Sequence, residues 1–181
     1  MQNINDLFGV FPRSGRVMWI GIRPERRGPV SVVPSVVVSE KKGLLGDHYG
    51  GQSGSRHVTL IQAEHLPVVA ALTGRESLDP TLLRRNIVVS GLNLLALKDH
   101  QIQIGDSVSG PVVLQITGQC HPCSKMETAL GPGGYNALRG HGGMTAKVIR
   151  DGVISVGDEV VVLETTVASS APDRPESGLG G

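Results

Sequence analysis

The sequence predicts a mainly β (α+β) fold, barrel-like, with a few short helices and long glycine-rich loops. Abundant glycine (25 residues) and valine beside only 3% aromatics favour a turn-rich β protein. The apolar runs are short and broken by Gly and Pro, without the long alternating helices of a βαβ sheet. Two segments, IQIGDSVSG (102–110) and ISVGDEVVVL (154–163), each read as strand, Gly-Asp turn and strand. This is a barrel-type corner in which Gly105 and Gly157 supply the turn geometry. Two short matches do not make a repeat.

Taken in order, residues 1–14 read as an N-terminal arm and residues 15–165 as one domain, with 166–181 as a disordered tail of Ser/Pro/Gly composition. GRVMWIGIRP (15–24) is a strand ended by Pro24, and the next runs, to Gly43, are short β pieces broken by Pro29 and Pro34. GLLGDHYGGQSGSRHVTLIQ (43–62) is a glycine loop followed by a strand at 56–61. AEHLPVVAALTGR (63–75) has helical spacing, tolerates Pro67 in its first turn and stops near Gly74. DPTLLRRNIVVSG (79–91) gives a helical turn and then a strand at 86–89, and LNLLALK (92–98) a brief helix or a loop with buried leucines. Trp19 and His57 read as packed residues, His65 as solvent-facing.

A formal charge of +1 argues against duplex DNA or an anionic membrane as partner, and scarce aromatics argue against base stacking. The expectation is therefore no nucleic acid and no membrane. There is no apolar run of transmembrane length and no secretory pattern at the N-terminus. With two cysteines, a cytoplasmic setting with reduced thiols is expected.

Both cysteines lie in ITGQCHPCSKMETAL (116–130), as Cys120 and Cys123, with an apolar strand-like run before them and a helix-like run after. They can be packed residues, since cysteine is a small hydrophobe. They can be a redox dithiol, although such pairs normally follow the first strand of a βαβ unit. They can be half of a zinc site, but a closed site needs four ligands, and His121 and His141 are poorly spaced to supply them; no zinc is expected. Finally, one of them can act as a reactive or metal-binding thiolate beside an anion site. Glycine loops at 43–54 and 131–143 would bring bare amides to that site, and Arg84, Arg85 and Arg139 would supply bidentate donors.

GLLGDHYGG…RHVTLIQAEHL, LLRRNIVVSGLNLLALKDHQIQIGDSVSG, LQITGQCHPCSKME and HGGMTAKVIRDGVISVGDEVVV occur in this order. Together they resemble a MOSC domain, the module named for the C-terminal part of molybdenum-cofactor sulfurases, over about residues 15–164. The resemblance implies a barrel-based fold and binding of molybdenum cofactor, a molybdopterin with a phosphate tail. It implies that Cys123 is the metal ligand and working thiolate, while Cys120 is auxiliary. It further implies that Arg84 and Asn86 hold the cofactor and that Asp47 and His48 lie in the loop closing over the pterin. Some members carry Arg where His48 stands. Arg23 falls at the place of a phosphate-binding Lys, and His121 is a candidate donor to cofactor or substrate.

The activity implied is two-electron reduction of N-hydroxylated small molecules, the cofactor carrying the chemistry and the protein its position and electrostatics. These residues show no flavin, haem or iron–sulfur motif, so a separate electron-donating reductase is the expected partner. The alternative is a carrier, with Cys123 holding a persulfide or the cofactor for an apo-molybdoenzyme. No pyridoxal-phosphate desulfurase module is expected, so such a carrier would not itself mobilise sulfur from cysteine.

Overall fold

Closure of the sheet is the first consequence of the short alternating strands. In the computed structural model, which describes residues 3–48, 53–106 and 110–163, the elements are α1 (Ile4–Leu7), β1 (Gly15–Ile22), β2 (Ser31–Val32), β3 (Ser35–Ser39), β4 (Gly43–Leu44), β5 (Val58–Gln62), α2 (His65–Leu72), a 3₁₀ turn (Pro80–Leu83), β6 (Ile87–Ser90), a second 3₁₀ turn (Leu94–Leu97), β7 (Gln101–Ile104), β8 (Val112–Gln119), α3 (Ser124–Leu130), α4 (Gly134–Ala137), β9 (Met144–Arg150), β10 (Gly152–Ser155) and β11 (Glu159–Leu163). Strands run β11-β7-β8-β9-β5-β6-β1, and β1 pairs with β11 to close a seven-stranded barrel. A smaller sheet, β10-β3-β4, flanks it. The fold is mainly β with short helices, as the sequence predicts.

Barrel neighbours pair antiparallel except β5 and β6, which run parallel with Leu60 opposite Ile87. A parallel pair needs a crossover, and α2 with the 80–83 turn supplies it. Side-chain alternation then assigns the two faces. Leu60, Ile87, Val89, Ile102, Ile104, Leu114, Ile116, Met144, Ala146 and Val160 fill the barrel. Ile61 and Val88 point the other way, into a second cluster with Val69, Leu83, Met126, Leu130 and Leu138 beneath the helices. Trp19 is only partly buried and packs against this second cluster, not in the barrel.

Strict period-2 alternation would not bury both Val17 and Ile20 in the barrel. A bulge between Val17 and Trp19 resolves this by leaving Met18 over, half exposed, so that Val17 faces Val89 and Ile20 faces Ile87. A second irregularity lies in β8 between Ile116 and Gly118, just before the cysteines. The extra residue there, Thr117, donates to the Ser55 carbonyl (2.6 Å) and contacts Thr145 Oγ1 (2.8 Å). The two Gly-Asp corners become neighbours because β7 pairs with β11; Gly105 (φ 90°) and Gly157 (φ 95°) both adopt the left-handed turn geometry. Residues 107–109 and the 166–181 tail lie outside the described residues.

His65 is not simply solvent-facing. It is partly buried, and its ring meets that of His141 edge-on at 4.9 Å between centroids. No helix among the described residues is long and apolar enough to cross a membrane.

Candidate functional site

Arg23, Asp47, His48, Arg56, Thr59, Arg84 and Asn86 line a cleft of about 250 Å³ at one end of the parallel β5–β6 pair. Arg23 leaves the end of β1, and two backbone bonds join it to the loop after β4. Its N–H donates to Asp47 Oδ1 (2.7 Å), and the His48 N–H donates to its carbonyl (2.7 Å). The 80–83 turn begins with Asp79 accepting from the Thr81 N–H and with Pro80 in its first position. It ends at Arg84 in the left-handed region, φ 57°. Such a conformation costs a residue with a Cβ about 1 kcal/mol, and here it faces the side chain to the cleft.

Arg84 and Arg85 then part company. The Arg85 guanidinium, 7% exposed, donates through Nε to the Gly142 carbonyl (2.6 Å), through Nη1 to Leu83 (3.0 Å) and through Nη2 to Cys120 (3.1 Å). It is a brace for the cysteine loop and is not in the cleft lining, contrary to the expectation that it would hold phosphate. Burial pushes its pKa down, partly offset by the neighbouring Cys120 and Cys123. Arg139 is exposed and does not line the cleft either.

Asn86 lines the cleft, but most of its side chain is engaged. Oδ1 accepts from Thr59 N (3.1 Å) and Thr59 Oγ1 (2.8 Å), and Nδ2 donates to the Gly21 carbonyl (3.2 Å). One amide hydrogen is left for a ligand. Asn86 therefore ties β1 to β5 at the floor of the cleft and fixes where Thr59 and Arg23 stand.

Among the described residues, the three guanidinium groups of the lining, on Arg23, Arg56 and Arg84, form no ion pair within 4.0 Å, the one such pair being Lys98–Asp99 on the surface. The pKa of Arg23 is lowered by burial first and by Arg84 second, with Asp47 opposing. Like charges held together and partly desolvated, with one carboxylate among them, make a site that favours a polyanion.

Cys120 is 3% exposed; its N–H donates to the Gly143 carbonyl (2.8 Å) and its Sγ lies 3.9 Å from Arg56 Nη2. Cys123 is exposed, free, and sits at the N-cap of α3 with its side chain making no capping bond. Neither cysteine is in the described lining of the cleft. His121 is exposed. Of the glycine loops expected to offer bare amides, Gly50 and Gly51 lie outside the described residues, while Gly142 and Gly143 are closed against the protein's own backbone. A Cβ on Gly142 would lie 2.3 Å from the Cys120 carbonyl, and one on Gly143 (φ 85°) 1.9 Å from that of Leu60. They let backbone meet backbone within the protein.

Sequence reading missed Arg56, which belongs to no spacing pattern; its only signal is its place between a glycine loop and a strand. The donor set suits a molybdenum cofactor. The guanidiniums of Arg23, Arg56 and Arg84 match its phosphate, and Cys123, exposed and uncommitted but outside the described cleft lining, is the kind of thiol a sulfur-preferring metal takes. No group of three or more His, Cys, Asp or Glu among the described residues is placed to hold a metal ion by itself.

The MOSC domain family model matches residues 42–161. Among solved structures, the chain is similar to the YuaD protein of Bacillus subtilis, at 19% identity and TM-score 0.71, covering 83% of this chain and 96% of that one. It is also similar to YiiM from Geobacillus stearothermophilus (19% identity, TM-score 0.67, 85% and 77% covered). YiiM from Escherichia coli gives 16% identity and TM-score 0.63, with 85% and 71% covered. No curated protein matches in sequence. A family model spanning most of the barrel, on a chain with this closed architecture, places the protein in the MOSC-domain family.

Proposed function

We propose that the protein binds molybdenum cofactor in the arginine-lined cleft, with Cys123 as the metal ligand, and reduces N-hydroxylated small molecules. The observation that carries this reading is the set of three arginines, Arg23, Arg56 and Arg84, that line one cleft beside the cysteine loop with no ion pair among the described residues. When bound, the cofactor supplies two-electron oxygen-atom chemistry. The chain's own part is to hold and tune. Arg23 and Arg84 offer bidentate donors to the anionic groups. Asp47 keeps the Arg23 backbone in place through its Oδ1. The remaining amide hydrogen of Asn86 can reach a ligand from the floor of the cleft and the exposed His48 from its rim. Arg85 holds the Cys120 carbonyl and so sets the course of the chain toward Cys123. Electrons come from a separate reductase.

The test is the molybdenum and pterin content of protein purified from a host that makes the cofactor. Wild type is compared with Cys123→Ala and Cys120→Ala. Near-stoichiometric molybdenum lost in Cys123→Ala alone supports the reading. Absence of molybdenum from wild type removes it and leaves a persulfide carrier on Cys123 as the remaining use of the same thiol.

A further inference from the structure

We infer that the end of the barrel opposite the arginine cleft binds a free single-chain anionic amphiphile of the fatty-acyl carboxylate class. The acyl chain occupies an apolar groove beneath the N-terminal arm, and the head meets Arg13 and Arg16. The cleft residues Arg23 and Asn86 stand at one end of the β1–β6 pair. The groove residues, before Gly15 and after Ser90, stand at the other end, about 25 Å away along the 8 residues of β1.

The groove encloses about 440 Å³ between the arm and the Leu94–Leu97 turn, with walls of Leu7, Phe8, Val10, Phe11, Leu92 and Ala96. That volume falls within the range of small-molecule sites. Phe11 anchors the arm by packing against the barrel core and meeting the His100 ring edge-on at 5.9 Å. Ahead of it, α1 has 4 residues, too few to hold a helix without packing. Leu7, Phe8 and Val10 are nevertheless 49%, 64% and 65% exposed, beside buried Leu92. Single exposed apolar residues are ordinary, but three lining one groove form a patch that calls for an apolar occupant.

A second cavity, polar and of about 180 Å³, adjoins the first and says which end of the occupant is charged. Arg13, Ser14, Arg16 and Ser90 line it, and Gly91 lines both cavities. A Cβ on Gly91 (φ 83°) would lie 3.3 Å from Arg13 Nε, so the Arg13 side chain crosses the joint between the two. Arg16 Nη1 donates to the Gly157 carbonyl (2.8 Å), which holds that guanidinium and leaves its other donors for a ligand. Two carboxylates are close. Glu159 accepts from Ser14 Oγ, and Glu64 accepts from the Gly91 N–H (2.8 Å). Among the described residues, neither forms an ion pair with Arg13 or Arg16. The two guanidiniums are thus open to an anionic head, whereas a cationic head would meet like charge. Both are exposed, so water screens their charge and the acyl chain supplies most of the affinity.

The experiment titrates the full chain with dodecanoate, kept below its micelle threshold, by calorimetry at fixed ionic strength. Acetate and dodecyltrimethylammonium are the comparison probes. Variants are Phe8→Asn, the double Arg13→Gln/Arg16→Gln and, on the small sheet, Val153→Asn, each with its urea midpoint. Dodecanoate is expected to bind saturably, about tenfold more weakly in Phe8→Asn. The double arginine variant should bind about fivefold more weakly, and Val153→Asn like wild type, all at the wild-type urea midpoint. Acetate should not bind, and dodecyltrimethylammonium should bind more weakly than dodecanoate. Absence of saturable dodecanoate binding by wild type overturns the proposal, as does equal affinity for the cationic amphiphile. Two further outcomes overturn it by assigning the groove elsewhere. One is a dimer in sedimentation velocity that Phe8→Asn abolishes while dodecanoate does not bind. The other is Phe8-dependent association with phosphatidylglycerol vesicles without dodecanoate binding. Molybdenum content plays no part in any of these readouts, so the proposed function stands or falls separately.

Discussion

Arg85 and Cys120 are joined by a hydrogen bond of 3.1 Å from a buried guanidinium to a backbone carbonyl, so the loop carrying the thiols is held by a charged side chain 35 positions earlier. The neighbouring Arg84 turns through a left-handed residue and lines the cleft. The pair divides two tasks, bracing and binding, between adjacent positions.

Removing the brace exposes three buried carbonyl oxygens to an unmet desolvation cost. Arg85→Met is expected to lower unfolding free energy by about 3 kcal/mol, read by urea denaturation. Arg84→Gln is expected to stay within about 0.5 kcal/mol of wild type. Equal stabilities for the two variants would contradict the division of tasks.

Arg84 bears a backbone cost that glycine would not. Arg84→Gly is therefore expected to leave the fold as stable as wild type, or to stabilise it by up to about 1 kcal/mol, while weakening phosphate binding. The two readouts are the urea midpoint and the phosphate titration. A clear loss of stability would show that the left-handed residue is held by side-chain contacts instead.

Gly143 has φ 85° and no room for a Cβ against the Leu60 carbonyl. Gly143→Ala is expected to cost about 3 kcal/mol or to prevent folding. Gly140→Ala, also at positive φ (78°) but with nothing within 4 Å, should cost only about 1 kcal/mol. Thermal unfolding of the two variants side by side measures the difference that close packing makes.

Burial lowers the pKa of His57, with Lys147 adding to the effect. Burial and His141 lower that of His65, with Glu64 opposing. Both imidazoles are therefore harder to protonate in the native state than in the unfolded chain. Their contribution to stability is fully present above the unfolded value, about 6.5, and is lost as pH falls through the depressed native values. The urea midpoint should drop as pH falls below about 6.5, and His57→Gln should flatten that dependence. Among the described residues, neither His65 Nδ1 nor His141 Nδ1 has a hydrogen-bond partner.

Cys123→Ala removes an exposed side chain and should not change stability, whereas Cys120→Ala removes a buried one and should cost about 1 kcal/mol. If molybdenum is lost with Cys123→Ala while its urea midpoint stays at the wild-type value, the loss is of a ligand and not of the fold.

Much of the fold was legible because its signals are local. Gly105 and Gly157 marked corners, and Pro80 marked the turn before β6. The run from Val112 to Leu130 read as strand, cysteines and helix. The small sheet of β3, β4 and β10 was visible only as short β runs, since pairings of two to five residues carry little periodicity. The bulge at Met18 was not legible, because alternation is read residue by residue and a one-residue slip shows only against a partner strand. His65 looked solvent-facing for the same reason: its partner, His141, lies on a distant turn.

The sequence by itself determined the class of fold, the family motifs and the positions of Arg23, Asp47, His48, Arg84 and Asn86 that the tertiary structure gathers on one cleft. Tertiary structure alone decided that Arg56 joins them, that Arg85 leaves them to brace Cys120, that Asn86 is largely engaged by Thr59 and Gly21, and that Gly142 and Gly143 serve internal packing. The physical reason is the range of the forces involved. Turn geometry and strand period act over a few residues and are written in local composition. The partner of a guanidinium or an amide is set by which carbonyls barrel closure brings within 3 Å or so, from 35 positions away for Cys120 and 57 for Gly142.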